Sequence, residues 1–278
     1  MTTFPMVSIP ETEMRTIRSA AAGQEYCISI AFPFLYHESP KKTYPVIYVL
    51  DANLYFGMVV EMVRAMNVRV SFCNELPDAI IVGIGYLVSG SLAAVHAQVM
   101  HLRMRDFLPE ASEWGEKFMQ EHFPIPNHVD SGGAAHFLQF IHQELVPMIE
   151  SEYRTDPTDR ILMGHSWGGN FAFYTLFHQP HLFQRYVVVS PDLPFDDERE
   201  YADQHNSLPV RMYLAAGVPE LNEQGLSRFH SFVDTVKSRH YAGFTLAHQL
   251  IANCTHCAVV APAFQAGLSE VFDKPLQT

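Results

Sequence analysis

Five short apolar runs rich in β-branched residues recur along the chain: VIYVLD (46–51), AIIVGIGY (79–86), RILMGH (160–165), RYVVVS (185–190) and VRMYLAA (210–216). Strands buried on both faces need such runs, and helices laid over the two faces of a parallel sheet supply the cover. Helical patterning fills the intervals at 57–68, 133–152, 168–178, 222–240 and 258–272. The alternation predicts right-handed crossovers onto a parallel sheet, with FTLAHQLI (244–251) as its last strand. Ahead of it, residues 14–20 and 25–32 flank an Ala22-Gly23 turn and predict an antiparallel opening hairpin. The expected class is therefore α/β, a mostly parallel central sheet with an antiparallel N-terminal hairpin and helices on both faces.

In sheets of this kind the functional groups collect on loops at the carboxyl ends of the strands. One such loop is distinctive. The third run ends in Gly164-His165-Ser166-Trp167-Gly168-Gly169, and the apolar helix start NFAFYTLF follows. This is G-x-S-x-G between a strand and a helix, where a sharp turn lifts the serine above the sheet and small neighbours let strand and helix pass closely. The helix amino terminus then faces the serine. Gly83-Ile84-Gly85 lacks the third glycine of a dinucleotide fingerprint and reads as strand packing.

A serine hydroxyl is a weak nucleophile at neutral pH and needs a histidine base within reach. With this motif the order is serine, acid, histidine, so only histidines well after Ser166 qualify. His256, between the last strand and the last helix, fits best; His178, His181, His205, His230, His240 and His248 read as surface or satisfied core residues.

Composition narrows the partners. The chain has 278 residues, 48% hydrophobic and 17% charged, which excludes disorder and leaves room for one large core. The expectation is a single domain over 1–278 with an insertion at about 87–131, the longest stretch without a clear pattern. A net charge of −12 with no basic stripe excludes a nucleic-acid partner. Fifteen histidines make that charge change steeply between neutral and mildly acid conditions. No basic segment precedes an apolar run at the start, and no stretch approaches the roughly 18 apolar residues of a span, so the sequence predicts a cytoplasmic protein without a membrane partner. Four cysteines are too few for a disulfide framework. Cys254 and Cys257 form a lone C-x-x-C around His256, which reads as coincidence, with oxidation of Cys257 beside the base as a secondary expectation. The sequence leaves a homo-oligomer open.

The elbow, YPVIYVLDANLYF (44–56), AIIVGIGY (79–86), RMRDFLP (103–109) and ELVPMIESEYRTDPTDRILMGHSWGG (144–169) together resemble the putative-esterase branch of the α/β-hydrolases, which includes siderophore trilactone, feruloyl and acetylxylan esterases. The similarity runs from about residue 13 to 272 and is most specific over 144–169. The resemblance implies a serine esterase working through an acyl-enzyme. It puts His256 at a Thr-His position, with Asn253-Cys254-Thr255-His256 standing for Gly-x-Thr-His, and Glu220 at the acid position. Glu223 and, after the preceding strand, Asp192 are the alternatives. Backbone N–H groups of Trp167 and of Ala52 or Asn53 would form the oxyanion hole, while Asp51 would hold that loop.

In the insertion, residues rich in His, Met, Phe and Pro either cover the entrance or pack as a surface excursion. Arg105 reads as a contact for an anionic or catecholate substrate, or as a strut to Asp106. Tyr86 and Trp167 read as the aromatic lining of a pocket. No metal or other cofactor is expected. The primary expectation is hydrolysis of small-molecule carboxylic esters; the alternatives are a siderophore trilactone esterase, a thioesterase, or a non-catalytic binding protein on the same fold.

Overall fold

The computed structural model describes residues 8–70, 73–74 and 76–272. In chain order the strands are β1 (Thr12–Arg18), β2 (Glu25–Ala31), β3 (Tyr44–Val49), the short pair β4 (Asn67–Val70) and β5 (Cys73–Asn74), β6 (Ile80–Tyr86), β7 (Thr155–His165), β8 (Arg185–Val189), β9 (Arg211–Gly217) and β10 (Thr245–Ile251). The helices are α1 (Ala52–Met66), α2 (Leu92–Phe107), α3 (Glu113–His122), α4 (Ala134–Phe140), α5 (Val146–Glu152), α6 (Trp167–His178), α7 (Phe195–Gln204), α8 (Glu223–Ser238) and α9 (Val260–Phe272).

The main sheet runs β1-β2-β6-β3-β7-β8-β9-β10. β1 and β2 pair antiparallel, β2 pairs antiparallel with β6, and from β6 to β10 every pairing is parallel. This is a mostly parallel α/β sheet with an antiparallel N-terminal hairpin, as the run pattern predicts. Adjacent residues face opposite sides, so each run feeds two cores. Leu162, Val188 and Leu214 pack with Phe137 of α4, Phe171 of α6 and Phe232 of α8. Met163, Val187 and Ala215 pack instead with Val59 of α1 and Phe264 of α9. Two-sided burial is why these strands read as continuous apolar runs rather than as alternating ones.

Several boundaries differ from expectation. The helix predicted at 57–68 starts at Ala52, directly after β3, because Asp51 turns the chain in the left-handed region. The helix predicted at 133–152 carries a wide turn over Ile141–Leu145 between α4 and α5. Pro147 lies at the start of α5, where it cannot donate a backbone hydrogen bond and its ring crowds the preceding turn. α7 was not predicted: FDDEREYADQ buries only Glu198 and Tyr201, so it has no apolar stripe to betray it. The segment expected as an insertion contains α2 and α3. Its α2 is not superficial, since Val99, Arg103, Met104, Asp106 and Phe107 are all buried.

Candidate active site

The turn after β7 holds Ser166 at φ 56°, ψ −124°, outside the regions an L-residue prefers. Its N–H donates to the Val189 carbonyl at 2.9 Å, and its carbonyl accepts from Asn170 N–H at 2.9 Å, so both chain directions are fixed. A Cβ on Gly164 would lie 2.1 Å from the Gly168 carbonyl oxygen, so only glycine lets strand and helix pass there. Trp167 opens α6, and its N–H is among the donors that a helix's first turn leaves unpaired.

A second helix start lies alongside. Asp51 caps α1 at φ 55°, and its carbonyl accepts from Leu54 N–H (2.8 Å) and Tyr55 N–H (3.0 Å), which leaves the Ala52 and Asn53 N–H groups at the open end. The Asn53 side chain clamps the end of β6, accepting from Tyr86 N–H at 2.7 Å and donating to the Tyr86 carbonyl at 3.0 Å. Gly83 and Gly85 do pack against this helix: a Cβ on Gly85 would lie 2.7 Å from the Asn53 oxygen.

Asp51 is fully buried, and its partner is a side chain rather than the loop backbone. Arg103 of α2 forks onto both carboxylate oxygens, Nε to Oδ1 at 2.8 Å and Nη2 to Oδ2 at 2.9 Å, and Nη2 also reaches the His165 carbonyl at 3.3 Å. The guanidinium lies 5.4 Å from the Trp167 ring centroid. A buried pair thus ties α1, α2 and the elbow into one unit. Sequence reasoning missed Arg103, although it sits two residues from Arg105 in the RMRDFLP segment.

His256 follows β10, and its Nδ1 meets Glu220 Oε2 at 2.5 Å. Glu220 Oε1 accepts from the Ser190 hydroxyl at 2.5 Å and from Gly217 N–H at 2.6 Å. Burial disfavours the charged carboxylate, but bonds from His256, Ser190 and Gly217 outweigh it and hold Glu220 below the ordinary glutamate pKa. A Cβ on Gly217 would lie 2.0 Å from the Cys254 carbonyl oxygen, so the loop carrying His256 rests directly on that backbone. The His256 ring is 4.7 Å, centroid to centroid, from His165, the residue before Ser166. Among the described residues the Ser166 hydroxyl has no hydrogen-bonded protein partner.

The other candidates are engaged elsewhere. Asp192 bonds to Asn170, Oδ2 accepting at 3.0 Å and its N–H donating at 2.7 Å. Glu223 lies exposed in the first turn of α8. Arg105 takes the strut role, forking onto Asp106 at 2.7 and 2.9 Å. Tyr86 is largely buried, its ring 6.1 Å from Tyr26, and it borders a hollow together with Arg18, Leu102 and Arg105. Cys254 and Cys257 are free thiols, the second exposed. Glu116, His128 and Asp130, on the stretch containing α3, bring metal-type donor atoms within 4.8 Å of one another, but Glu116 is already bonded to Ser131 and the other two face solvent. Among the described residues no helix is long and apolar enough to cross a membrane.

The chain matches the family model described as Putative esterase over residues 19–209. It is 34% identical over 242 residues to ferri-bacillibactin esterase BesA of Bacillus subtilis (strain 168), covering 80% of this chain and 75% of that one. It is 28% identical over 192 residues to the siderophore triacetylfusarinine C esterase of Aspergillus fumigatus, covering 67% of this chain and 58% of the relative. The crystal structure of BES protein from Bacillus cereus superposes with a TM-score of 0.80 at 26% identity, covering 98% of each chain.

Proposed function

Because this chain belongs to the Putative esterase family and is thus a carboxylic-ester hydrolase of the serine type, we propose that Ser166 is its nucleophile, His256 its base and Glu220 the carboxylate that orients the base. The observation that carries this reading is the 2.5 Å contact between Glu220 and His256 Nδ1, made beside the elbow by a glutamate that two further donors hold ionised. With Nδ1 so engaged, Nε2 is the nitrogen left for the serine proton.

Ser166 Oγ attacks the ester carbonyl carbon as its proton passes to His256 Nε2. The carbonyl oxygen becomes an oxyanion, met by the N–H of Trp167 and by that of Ala52 or Asn53, which two helix starts leave unpaired. Collapse expels the alcohol, which takes the proton from His256. Water, deprotonated by the same imidazole, then attacks the acyl-enzyme and releases the acid and free Ser166. Glu220 stays ionised throughout and stabilises the imidazolium that forms in each half-reaction.

For the substrate, the names of the relatives favour a siderophore ester. Arg18, Tyr86 and Arg105 border a hollow of about 420 Å³ with Gln24, Glu25 and Leu102; with Arg105 committed to Asp106, Arg18 is the cation there that suits an anionic or catecholate group. α2 flanks the site, its Arg103 reaching Asp51 and the His165 carbonyl. The protein acts as a soluble intracellular enzyme on a small-molecule ester.

Hydrolysis of p-nitrophenyl butyrate by wild type, Ser166→Ala and His256→Ala tests the machinery: both variants should fold and lose turnover, and a Ser166→Ala protein that still turns over would refute the assignment. A panel containing a catecholate trilactone, a feruloyl ester and butyryl esters tests the substrate. Preference for the trilactone supports the siderophore reading, and preference for the butyryl esters removes it.

A further inference from the structure

The variable position before the nucleophile in G-x-S-x-G is His165, which the catalytic scheme above leaves unused. It is the last residue of β7 and only 4% exposed. Both its ring nitrogens are engaged: Nε2 lies 2.8 Å from the His256 carbonyl oxygen, and Nδ1 lies 3.0 Å from the Tyr55 hydroxyl. A carbonyl oxygen only accepts, so Nε2 carries the proton; Nδ1 is then bare and accepts from Tyr55. The tautomer follows from the two partners.

Tyr55 is itself fixed. Its N–H is bonded to the Asp51 carbonyl in the first turn of α1, and its ring packs edge-on against His165 (6.0 Å) and Phe264 of α9 (5.9 Å). The chain of contacts therefore runs from the oxyanion-side helix through Tyr55 and His165 to the backbone of His256. His256 is held at two points, its ring by Glu220 and its main chain by the residue adjoining Ser166.

We propose that His165 is a positioning residue of the esterase site, its Nε2–H fastening the His256 main chain to the nucleophile turn and Tyr55 fixing the tautomer that can do so. The proposal rests on Ser166 and His256 being nucleophile and base. A core histidine that was merely satisfied would need partners too, but here the partner is the backbone of the base, so loss of the bond moves the reacting geometry. A misplacement of about 1 Å costs about 10²-fold in rate. Burial, and then the neighbouring His256, push the His165 pKa down to about 4, so no second positive charge stands beside the imidazolium when His256 takes the serine proton.

The test compares His165→Met, His165→Gln and Tyr55→Phe in p-nitrophenyl butyrate hydrolysis, with thermal unfolding of each and with wild type and His256→Ala alongside. The Gln amide can donate where Nε2–H does; the Met side chain cannot. The expected result is a drop in kcat of about 10- to 100-fold for His165→Met with KM little changed, recovery of most of it in His165→Gln, and an intermediate loss in Tyr55→Phe. A folded His165→Met with wild-type kcat overturns the proposal, as does equal loss in the Met and Gln variants at equal stability. Should His165→Met fail to fold, wild-type kcat in Tyr55→Phe overturns it. If wild type itself shows no turnover, or His256→Ala retains it, the reading of the site fails instead.

Discussion

Arg103 and Asp51, 52 positions apart in sequence, meet in a two-pronged ion pair beneath the nucleophile turn, with both side chains almost wholly out of solvent. Burial disfavours a lone arginine, but Asp51 more than compensates, and the guanidinium is held even more firmly charged than usual. Such a pair is weak evidence of net stability, yet removing one partner leaves the other charge buried without compensation.

Arg103→Met should therefore destabilise the protein by about 3–5 kcal/mol, read as a lowered urea midpoint at unchanged m-value. Arg103→Met combined with Asp51→Leu should recover much of that loss. Equal stability of Arg103→Met and wild type would show that the pair does not brace the elbow.

Glu220→Gln keeps the shape of the acid but removes its charge. Turnover should fall on the order of 10²- to 10⁴-fold with little change in KM, measured by steady-state ester hydrolysis. Because the folded-state pKa of Glu220 is depressed below the ordinary 4.5, its contribution to stability is complete above that pH and is lost as pH falls through the folded value. Melting curves of wild type and Glu220→Gln should accordingly converge on acidification below pH 4.5.

His165 supplies a second pH signature with a separate window. Unfolded, it takes a proton near 6.5; folded, it refuses one until about 4. The unfolded chain binds more protons between those values, so stability falls as pH drops from 6.5 toward 4. His165→Gln should flatten that part of the stability profile, and nitrogen NMR shifts should show wild-type His165 neutral with its proton on Nε2 at pH 6.

Gly217→Ala tests the seat of the His256 loop. The added methyl would overlap the Cys254 carbonyl, so the loop must lift away from Glu220. The expected outcome is a loss of about 1–3 kcal/mol in denaturant titration together with a drop in kcat, whereas a change in stability with unaltered kcat would separate this contact from catalysis.

The central strands and the elbow were legible because two-sided burial writes continuous apolar runs, and because strand, G-x-S-x-G and helix occur together. His256 and Glu220 were legible from chain order and resemblance, and the structure brings the two into contact. The pairing of Arg103 with Asp51 was not, since an ion pair across 52 residues leaves no local pattern and α2 has little apolar periodicity. Ser190 stands in the sequence only as the last residue of the RYVVVS run; its bond to Glu220 depends on the registration of β8 against β9, which the sequence does not spell. His165 was hidden by standing at the motif's variable position. An aromatic at a strand end suits either a pocket or a core, and Tyr86 does both, its ring buried beside Tyr26 while the residue borders the hollow next to Arg105.

Intact-mass analysis of the wild-type and Ser166→Ala proteins after treatment with a fluorophosphonate bears most directly on the chemistry. A single adduct on wild type, absent from the folded Ser166→Ala variant, is the expected result and identifies an activated Ser166. No adduct on folded wild type, or an adduct that survives the substitution, would contradict Ser166 as the nucleophile.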